Sequence, residues 1–426
     1  MRVLVLGSGG REHALVWAVR RSPLVEEVLC APGSDAIARE ARVFSADPAD
    51  PAQVVALAKH ESVDLVVVGP EDPLAAGVVD ALTEAGTPVF GPNREAAQLE
   101  SSKSFAKSFM ARHGIPTAAH ESFSEPEAAE RYVAQHDGPL VVKADGLAAG
   151  KGVFMCADAG EAVQALREIM RERRFGASGA SVVIEERLLG EELSFYAISD
   201  GERFVCLDAA QDFKRALDGD RGENTGGMGA YSPVPLVGAQ LASRIVERVV
   251  APTLAGMRAE GRPYRGVLFV GLMIRDGEPR VIEFNARFGD PETQALLFRL
   301  ESDLVPLLEA AARGRLPDDA AQGLRFGPPA VCVVMASEGY PRGYPTDLPI
   351  RGLEDVEARP DVALFHSGTA LVDGGWRTRG GRVLGVTARG ATLGEARERA
   401  YDAAAGLHWK GACFRRDIAA AAAARV

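Results

Sequence analysis

Short apolar runs and amphipathic stretches alternate from the first residues of the chain. Residues 2–6, RVLVL, are a continuous strand-type run, and residues 13–22 carry helical periodicity. Gly7, Gly9 and Gly10 make a tight turn between them, so the chain opens as a βαβ unit whose helix N-terminus can meet a phosphate or carboxylate. The alternation continues with strands predicted at 27–31, 64–69 and 88–91 and helices at 51–60 and 74–85. A small parallel sheet with covering helices results, Rossmann-like in layout. A dinucleotide fingerprint would need glycine at position 12, where Glu12 stands and would repel a pyrophosphate.

A helix is predicted over 94–113. Strands at 140–143, 153–156 and 181–186 and a helix at 161–171 then form a compact two-layer unit. Beyond it the strands lengthen, at 194–199, 204–210, 266–275 and 278–285, around a polar loop over 211–231. A Gly/Pro-marked boundary at 323–329 precedes a strand at 331–336, several glycine turns and a helix at 393–407. The Ala-rich end reads as a frayed helix terminus. The fold class is α/β and α+β multidomain, divided as 1–100, 101–122 with 191–325, 123–190, and 326–426. With no repeat and no long linker, these units are expected to pack closely.

Composition narrows the partners. The 426 residues allow roughly three domains. Hydrophobic content of 47% and charged content of 25% are those of an ordinary soluble globular protein. A net charge of −11 disfavours nucleic acid and anionic membrane. No apolar run reaches the ~20 residues of a membrane span, and MRVLVLGSGG has no signal-peptide layout. The five cysteines are scattered and never form CxxC, which suits a reduced, cytoplasmic protein with no zinc or disulfide framework. There are 41 arginines and only seven lysines. The surviving lysines are therefore enriched where a compact ammonium is needed.

Two segments carry the chemistry. VVKADGLAAGKG at 141–152 ends a strand in Lys143, then gives a loop with Gly150, Lys151 and Gly152 but no Walker G-K-[ST] ending. Lys143 can reach phosphate oxygens from a rigid sheet while the glycines let the loop fold over them. Lys151 is open to two readings, phosphate contact or solvated charge. VIEFNARFGDPET at 281–293 ends a strand in Glu283 and Asn285, which share a face. They offer the hard oxygen ligands that Mg²⁺ takes. Arg287, Asp290 and Glu292 follow in a loop too polar for core packing. Between these segments, the chain leaving the strand at 182–186 can present a carbonyl and an amide to an adenine edge, and a later carboxylate to ribose hydroxyls. Together they point to a magnesium nucleotide bound without a P-loop.

VVKADGLAAGKG, VIEERLLGEELSF, QDFKR, NTGGMGAYSP and VIEFNARFGDPETQ resemble the ATP-grasp ligases. VLGSGGREHAL, VVGPEDPL at 67–74, FGPNREAAQLESSKSFAK at 90–107, VVMASEGYP at 333–341 and FHSGT at 365–369 extend the resemblance to essentially the whole chain. Within the superfamily the chain is similar to the phosphoribosylamine–glycine ligase family. The resemblance implies an ATP-grasp core with a small mobile lid subdomain at 123–190. It also implies a reaction in purine biosynthesis: ATP, glycine and 5-phosphoribosylamine give glycinamide ribonucleotide, ADP and phosphate through glycyl phosphate. No nucleophilic side chain is required, in keeping with the absence of a Ser–His–Asp or Cys–His motif.

Carried over by position, the resemblance implies that Lys103, Lys143, Gly150, Lys151 and Gly152 bind ATP phosphates. Glu186 and Leu188 meet adenine through backbone groups, Glu192 meets the ribose, and Glu283 and Asn285 hold Mg²⁺ or Mn²⁺. Gly9, Gly10, Arg11, Glu12 and Glu71 line the phosphoribosylamine site. Asn224, Thr225 and Gly226 join Asp212, Lys214, Arg287, Asp290 and Glu292 around the acyl-transfer centre. Many superfamily members have an acid on the preceding strand, where this chain has Val270, Gly271 and Leu272, so fewer protein ligands are expected. A monomer acting on small molecules, without nucleic acid or membrane, is the expected form. The rival readings are an ATP-grasp ligase for another acid and amine, a nicotinamide oxidoreductase, and a non-catalytic nucleotide sensor. GGREHA and GPEDPL oppose the first, Glu12 the second, and the intact metal pair the third.

Overall fold

The apolar run at the N-terminus becomes the middle strand of a five-stranded parallel sheet. In the computed structural model of the chain, which describes residues 1–148 and 151–425, the order is Arg42–Val43, Glu27–Pro32, Arg2–Gly7, Leu65–Val68, Val89–Phe90. Leu4 and Leu6 bury against Val54 and Leu82 on one face, while Val3 and Val5 bury against Leu15 and Val16 on the other. Covering both faces is what lets a parallel strand be apolar throughout. The first helix runs Gly10–Arg20, three residues ahead of the predicted start. The predicted helix at 74–85 is two, Glu71–Ala76 and Val78–Glu84, parted by Gly77 at φ 85°.

A small antiparallel sheet, ordered His120–Phe123, Val182–Glu186, Leu140–Ala144, Val153–Cys156, has its own core under the helices Pro126–Val133 and Ala159–Leu166. The larger antiparallel sheet is ordered Phe204–Cys206, Glu191–Asp200, Arg265–Arg275, Glu278–Asn285. Its first strand stops at Cys206 and does not reach the predicted 210. Glu283 lies opposite Gly271 and Val281 opposite Leu272, so Ile282 is the extra residue of a bulge. Bulges re-aim the strand beyond them, and here the strand beyond carries Glu283 and Asn285.

Three further expectations differ from the structure. The helix predicted over 94–113 is broken at Ser102, which is extended (φ −139°, ψ 110°) and whose hydroxyl accepts from the Phe105 N–H. Ser102 is thus an N-cap inside an amphipathic stretch, and it makes Lys103 the first residue of helix Lys103–Arg112. The polar segment 211–231 is not a loop. It holds the hairpin Arg215–Leu217/Arg221–Asn224 and the strand Gly229–Ser232, which pairs with Ala330–Ser337. That strand sits in a C-terminal sheet ordered Gln211–Asp212, Gly229–Ser232, Ala330–Ser337, Arg382–Arg389, Val362–His366, with Ala412–Cys413 beside Ala330–Ser337. Finally, the Ala-rich end is not frayed. Ile418, Ala419 and Ala422 are buried, and helix Ala420–Ala423 packs on Leu393–Ala405. No helix among the described residues is long and apolar enough to cross a membrane.

Candidate active site

A cleft of about 890 Å³ lies where the four sheets converge, and most of the residues singled out above face it. At one end the wall is cationic. Lys143 is buried near the end of its strand, with Nζ 3.0 Å from Glu185 Oε1 and donating to the Ile282 carbonyl at 3.1 Å. The other Glu185 oxygen is 3.1 Å from Lys107 Nζ, which also donates to Thr117 Oγ1 at 2.7 Å. Burial pulls the Lys107 ammonium down to about 8. Burial also lowers Lys103, against the pull of Glu283, and Lys103 Nζ donates to the Gly146 carbonyl at 3.0 Å.

The glycine loop starts from a tethered base. Asp145 accepts from Ser102 Oγ, the Ser104 N–H and Ser181 Oγ at 3.1–3.2 Å, and from Ser104 Oγ. Gly152 lines the cleft. Lys151 is exposed and, among the described residues, absent from the wall, as a solvated charge would be. Gly150 lies outside the described residues. Glu186, Leu188 and Glu192 line the mouth. The Glu186 carboxylate is already engaged, accepting the Ala119 N–H at 2.9 Å and pairing with Arg280. Its backbone is what remains for a ligand.

Glu283 and Asn285 both face the cleft. Burial by itself would raise the Glu283 carboxyl, but Lys214, Lys143 and Lys103 outweigh it and hold it at about 2. Lys214 Nζ stands 3.4 Å from Glu283 Oε1. Asn285 is buried with its amide nitrogen unpartnered, a donor that calls for an acceptor such as a phosphate oxygen. Among the described residues no three His, Cys, Asp or Glu side chains gather as a metal cage. One carboxylate and one amide therefore suit a hard cation that takes its remaining oxygens from phosphates and water.

The other end is a ladder of alternating charge. Arg287 Nε is 3.1 Å from Glu71 Oε2, Arg287 Nη2 is 3.1 Å from Glu100 Oε1, and Arg11 Nη1 is 3.9 Å from Glu71 Oε2. Burial opposes ionisation of Glu71, yet Arg287 and Arg11 hold it at about 2. Glu100 is raised to about 7 by burial, with Arg287 opposing, and it accepts the Ala286 N–H at 2.7 Å. Asp212 is pushed up to about 8 by burial, against Lys214. For Lys214, burial is outweighed by Asp212 and Glu283, so it keeps its proton. Thr225 donates through its N–H and hydroxyl to the Lys214 carbonyl at 2.7 and 2.9 Å. Asn224, Thr225, Gly226, Asp290 and Glu292 complete this wall, with Ser194 Oγ donating to Glu292 Oε1 at 3.1 Å.

The N-terminal loop is a partial exception. Arg11 faces the cleft, whereas Gly9, Gly10 and Glu12 are not among its described lining residues. Glu12 turns inward. Its Oε1 is 2.5 Å from Arg11 Nε and its Oε2 accepts the Gly9 N–H at 2.7 Å. Glu12 thus serves as counter-ion and turn brace, and Gly10 packs against Ser367 and Gln294.

Comparison with known proteins assigns this architecture. Phosphoribosylglycinamide synthetase matches in three consecutive parts: the N domain at 1–100, the ATP-grasp (A) domain at 101–293 and the C domain at 330–421. The chain belongs to the phosphoribosylglycinamide synthetase family. It is 51% identical over 430 residues to phosphoribosylamine–glycine ligase of Allochromatium vinosum and 48% identical over 425 to that of Rhizobium meliloti. Each alignment covers all of this chain and 99% of the relative. The crystal structure of the Thermotoga maritima phosphoribosylamine–glycine ligase superposes with a TM-score of 0.85 at 34% identity, covering 98% of this chain and 100% of that one. A biotin carboxylase domain from Hydrogenobacter thermophilus, in complex with MgADP, shares the fold at a TM-score of 0.74 and 17% identity, covering 97% of this chain and 91% of that one. As a phosphoribosylglycinamide synthetase family member the chain is a ligase with an ATP-binding ATP-grasp core.

Among the cleft residues that escaped the sequence reading are the charged side chains of Glu100, Lys107, Glu185 and Arg382. Lys107 had a signal, as one of seven retained lysines. Glu185 stands beside Glu186 in the motif, and nothing local separates the buried carboxylate from the exposed one. Glu100 falls within the resemblance segment 90–107, where only Lys103 takes an implied ligand, and Arg382 sits in a segment with no chemical pattern of its own.

Proposed function

We propose that this protein joins glycine to 5-phosphoribosylamine at the expense of ATP, giving glycinamide ribonucleotide, ADP and phosphate. The observation that carries the reading is the continuity of one cleft. Its lysine-rich end and the Glu283/Asn285 pair run directly into the Arg11–Glu71–Arg287 ladder. A carboxylate is a poor acyl donor, so a glycine oxygen first attacks the γ-phosphorus and ADP leaves. The amine nitrogen of phosphoribosylamine then attacks the acyl carbon of glycyl phosphate and loses a proton. Phosphate departs with the oxygen that glycine supplied.

Lys103 and Lys143 bind the phosphates, and the backbone of Glu186 and Leu188 meets adenine. Glu283 and Asn285 would hold Mg²⁺ or Mn²⁺, which would supply positive charge against the phosphate oxygens. Lys214 stays protonated between Asp212 and Glu283, adding a fixed positive charge to the transfer centre. Glu71, ionised at neutral pH, accepts from hydroxyl or amine donors of the sugar, and Arg11 faces its phosphate. Catalysis is then positioning plus charge neutralisation. Exclusion of water protects the acyl phosphate. The working form is a cytoplasmic monomer acting on small molecules.

An ADP-release assay with glycine and freshly generated phosphoribosylamine, each omitted in turn, tests the reading. Sustained release is expected only with both present. Equal release with a different acid and amine would replace these substrates.

A further inference from the structure

Arg382 opens strand Arg382–Arg389 of the C-terminal sheet, yet its side chain leaves that sheet for the cleft. Its guanidinium makes a three-way fork. Nη1 donates to the Gly226 carbonyl at 2.7 Å and to the Asp290 carbonyl at 2.9 Å, while Nη2 donates to Asp290 Oδ2 at 2.9 Å. The second Asp290 oxygen accepts from Gln294 Nε2 at 2.7 Å.

The two acceptors belong to different loops. Gly226 follows Thr225, which hangs from the Lys214 carbonyl, and Asp290 leads into Glu292. The loops touch, since a Cβ on Gly227 would fall 2.4 Å from Pro291 Cδ. Gly226 is gripped a second time, because its N–H also donates to the hydroxyl of Tyr340, in the turn after strand Ala330–Ser337, at 3.0 Å. A Cβ at position 226 would come within 2.9 Å of the Arg382 guanidinium, so that glycine admits the arginine. A planar fork holds two carbonyls and a carboxylate at fixed relative positions; an ammonium offers three donors from a single point and does not fix that spacing.

We infer that Arg382 is a positioning residue for the ligation step. By stapling Gly226 to Asp290 it sets the spacing between the turn that is hydrogen-bonded to Lys214 through Thr225 and the turn that leads into helix Glu292–Arg299. The C-terminal sheet thereby fixes the acyl-transfer centre without lending it a reacting group. This inference rests on the function proposed above.

The test compares Arg382→Gln, Arg382→Lys and Arg382→Ala with the wild type in the full chain. Arg382→Gln should lower kcat about 10²-fold, the loss that a misplacement of about 1 Å brings, with the KM for ATP within threefold of wild type. Arg382→Lys should not restore the rate, and methylguanidinium added to Arg382→Ala should raise it at least tenfold, by roughly the worth of a charge-assisted hydrogen bond. Wild-type kcat in Arg382→Gln or Arg382→Lys, or loss of ATP affinity in step with kcat, would overturn the inference. Should the wild type fail to join glycine and phosphoribosylamine, the parent reading falls, and amide exchange at 225–227 decides this one. Faster exchange in Arg382→Gln supports it, and unchanged exchange sinks it.

Discussion

Three ammonium groups converge on Glu283, and their combined pull exceeds the cost of burying its charge. Glu283→Gln keeps the shape and removes the anion. Turnover should fall about 10²-fold, as when one preorganised electrostatic group is lost, and the metal concentration for half-maximal rate should rise. Normal rate and normal metal dependence would place the cation elsewhere. Glu71 gives a pH signature. Its folded value of about 2 lies below the ordinary 4.5, so the unfolded chain binds more protons in that window. Its stabilisation is complete above pH 4.5 and is lost as pH falls toward 2. In urea unfolding, the stability gap between wild type and Glu71→Gln should be widest at neutral pH and close through that window; a constant gap would contradict the assignment. At this scale the sequence showed residues that share an element, such as Glu283 and Asn285. It hid those whose partner is distant, such as Glu185 between Lys107 and Lys143.

Asp145 ties the base of the glycine loop to the break at Ser102, joining two elements that periodicity alone merged or left unpaired. Asp145→Ala frees that base and leaves the Ser104 N–H without its acceptor. The KM for ATP should rise about tenfold, matching roughly 1.4 kcal/mol of lost hydrogen bonding to a charged group. Amide exchange at 146–148 should quicken. In the wild type, a non-hydrolysable ATP analogue with Mg²⁺ should slow exchange at 145–148, since Lys103 already reaches this stretch through Gly146. Equal exchange with and without nucleotide would mean that the loop does not close over it. The long apolar strands, such as Arg2–Gly7, Glu191–Asp200 and Arg265–Arg275, survived into the structure because they bury at least one face. The helix over 94–113 did not, because a serine N-cap overrides an amphipathic pattern that continues through it.

Across the whole molecule, the cleft is assembled from segments that are far apart in the chain: Arg11 and Glu71 from the helices that follow two strands of the parallel sheet, Lys143 from the small sheet, Glu283 from the large one and Arg382 from the last. The strand Gly229–Ser232 explains why the assembly resists a local reading. Its partner Ala330–Ser337 lies about a hundred residues on, and the polar, glycine-rich stretch before it carries no period. The five ATP-grasp motifs, by contrast, reported the architecture because they mark the cleft itself. In the proposed reaction glycine is phosphorylated before it is joined. The most direct test of that order is a single turnover with ATP, phosphoribosylamine and glycine labelled with ¹⁸O in the carboxylate. One labelled oxygen per phosphate released, in step with glycinamide ribonucleotide, is the expected result; phosphate free of glycine-derived oxygen would contradict the account.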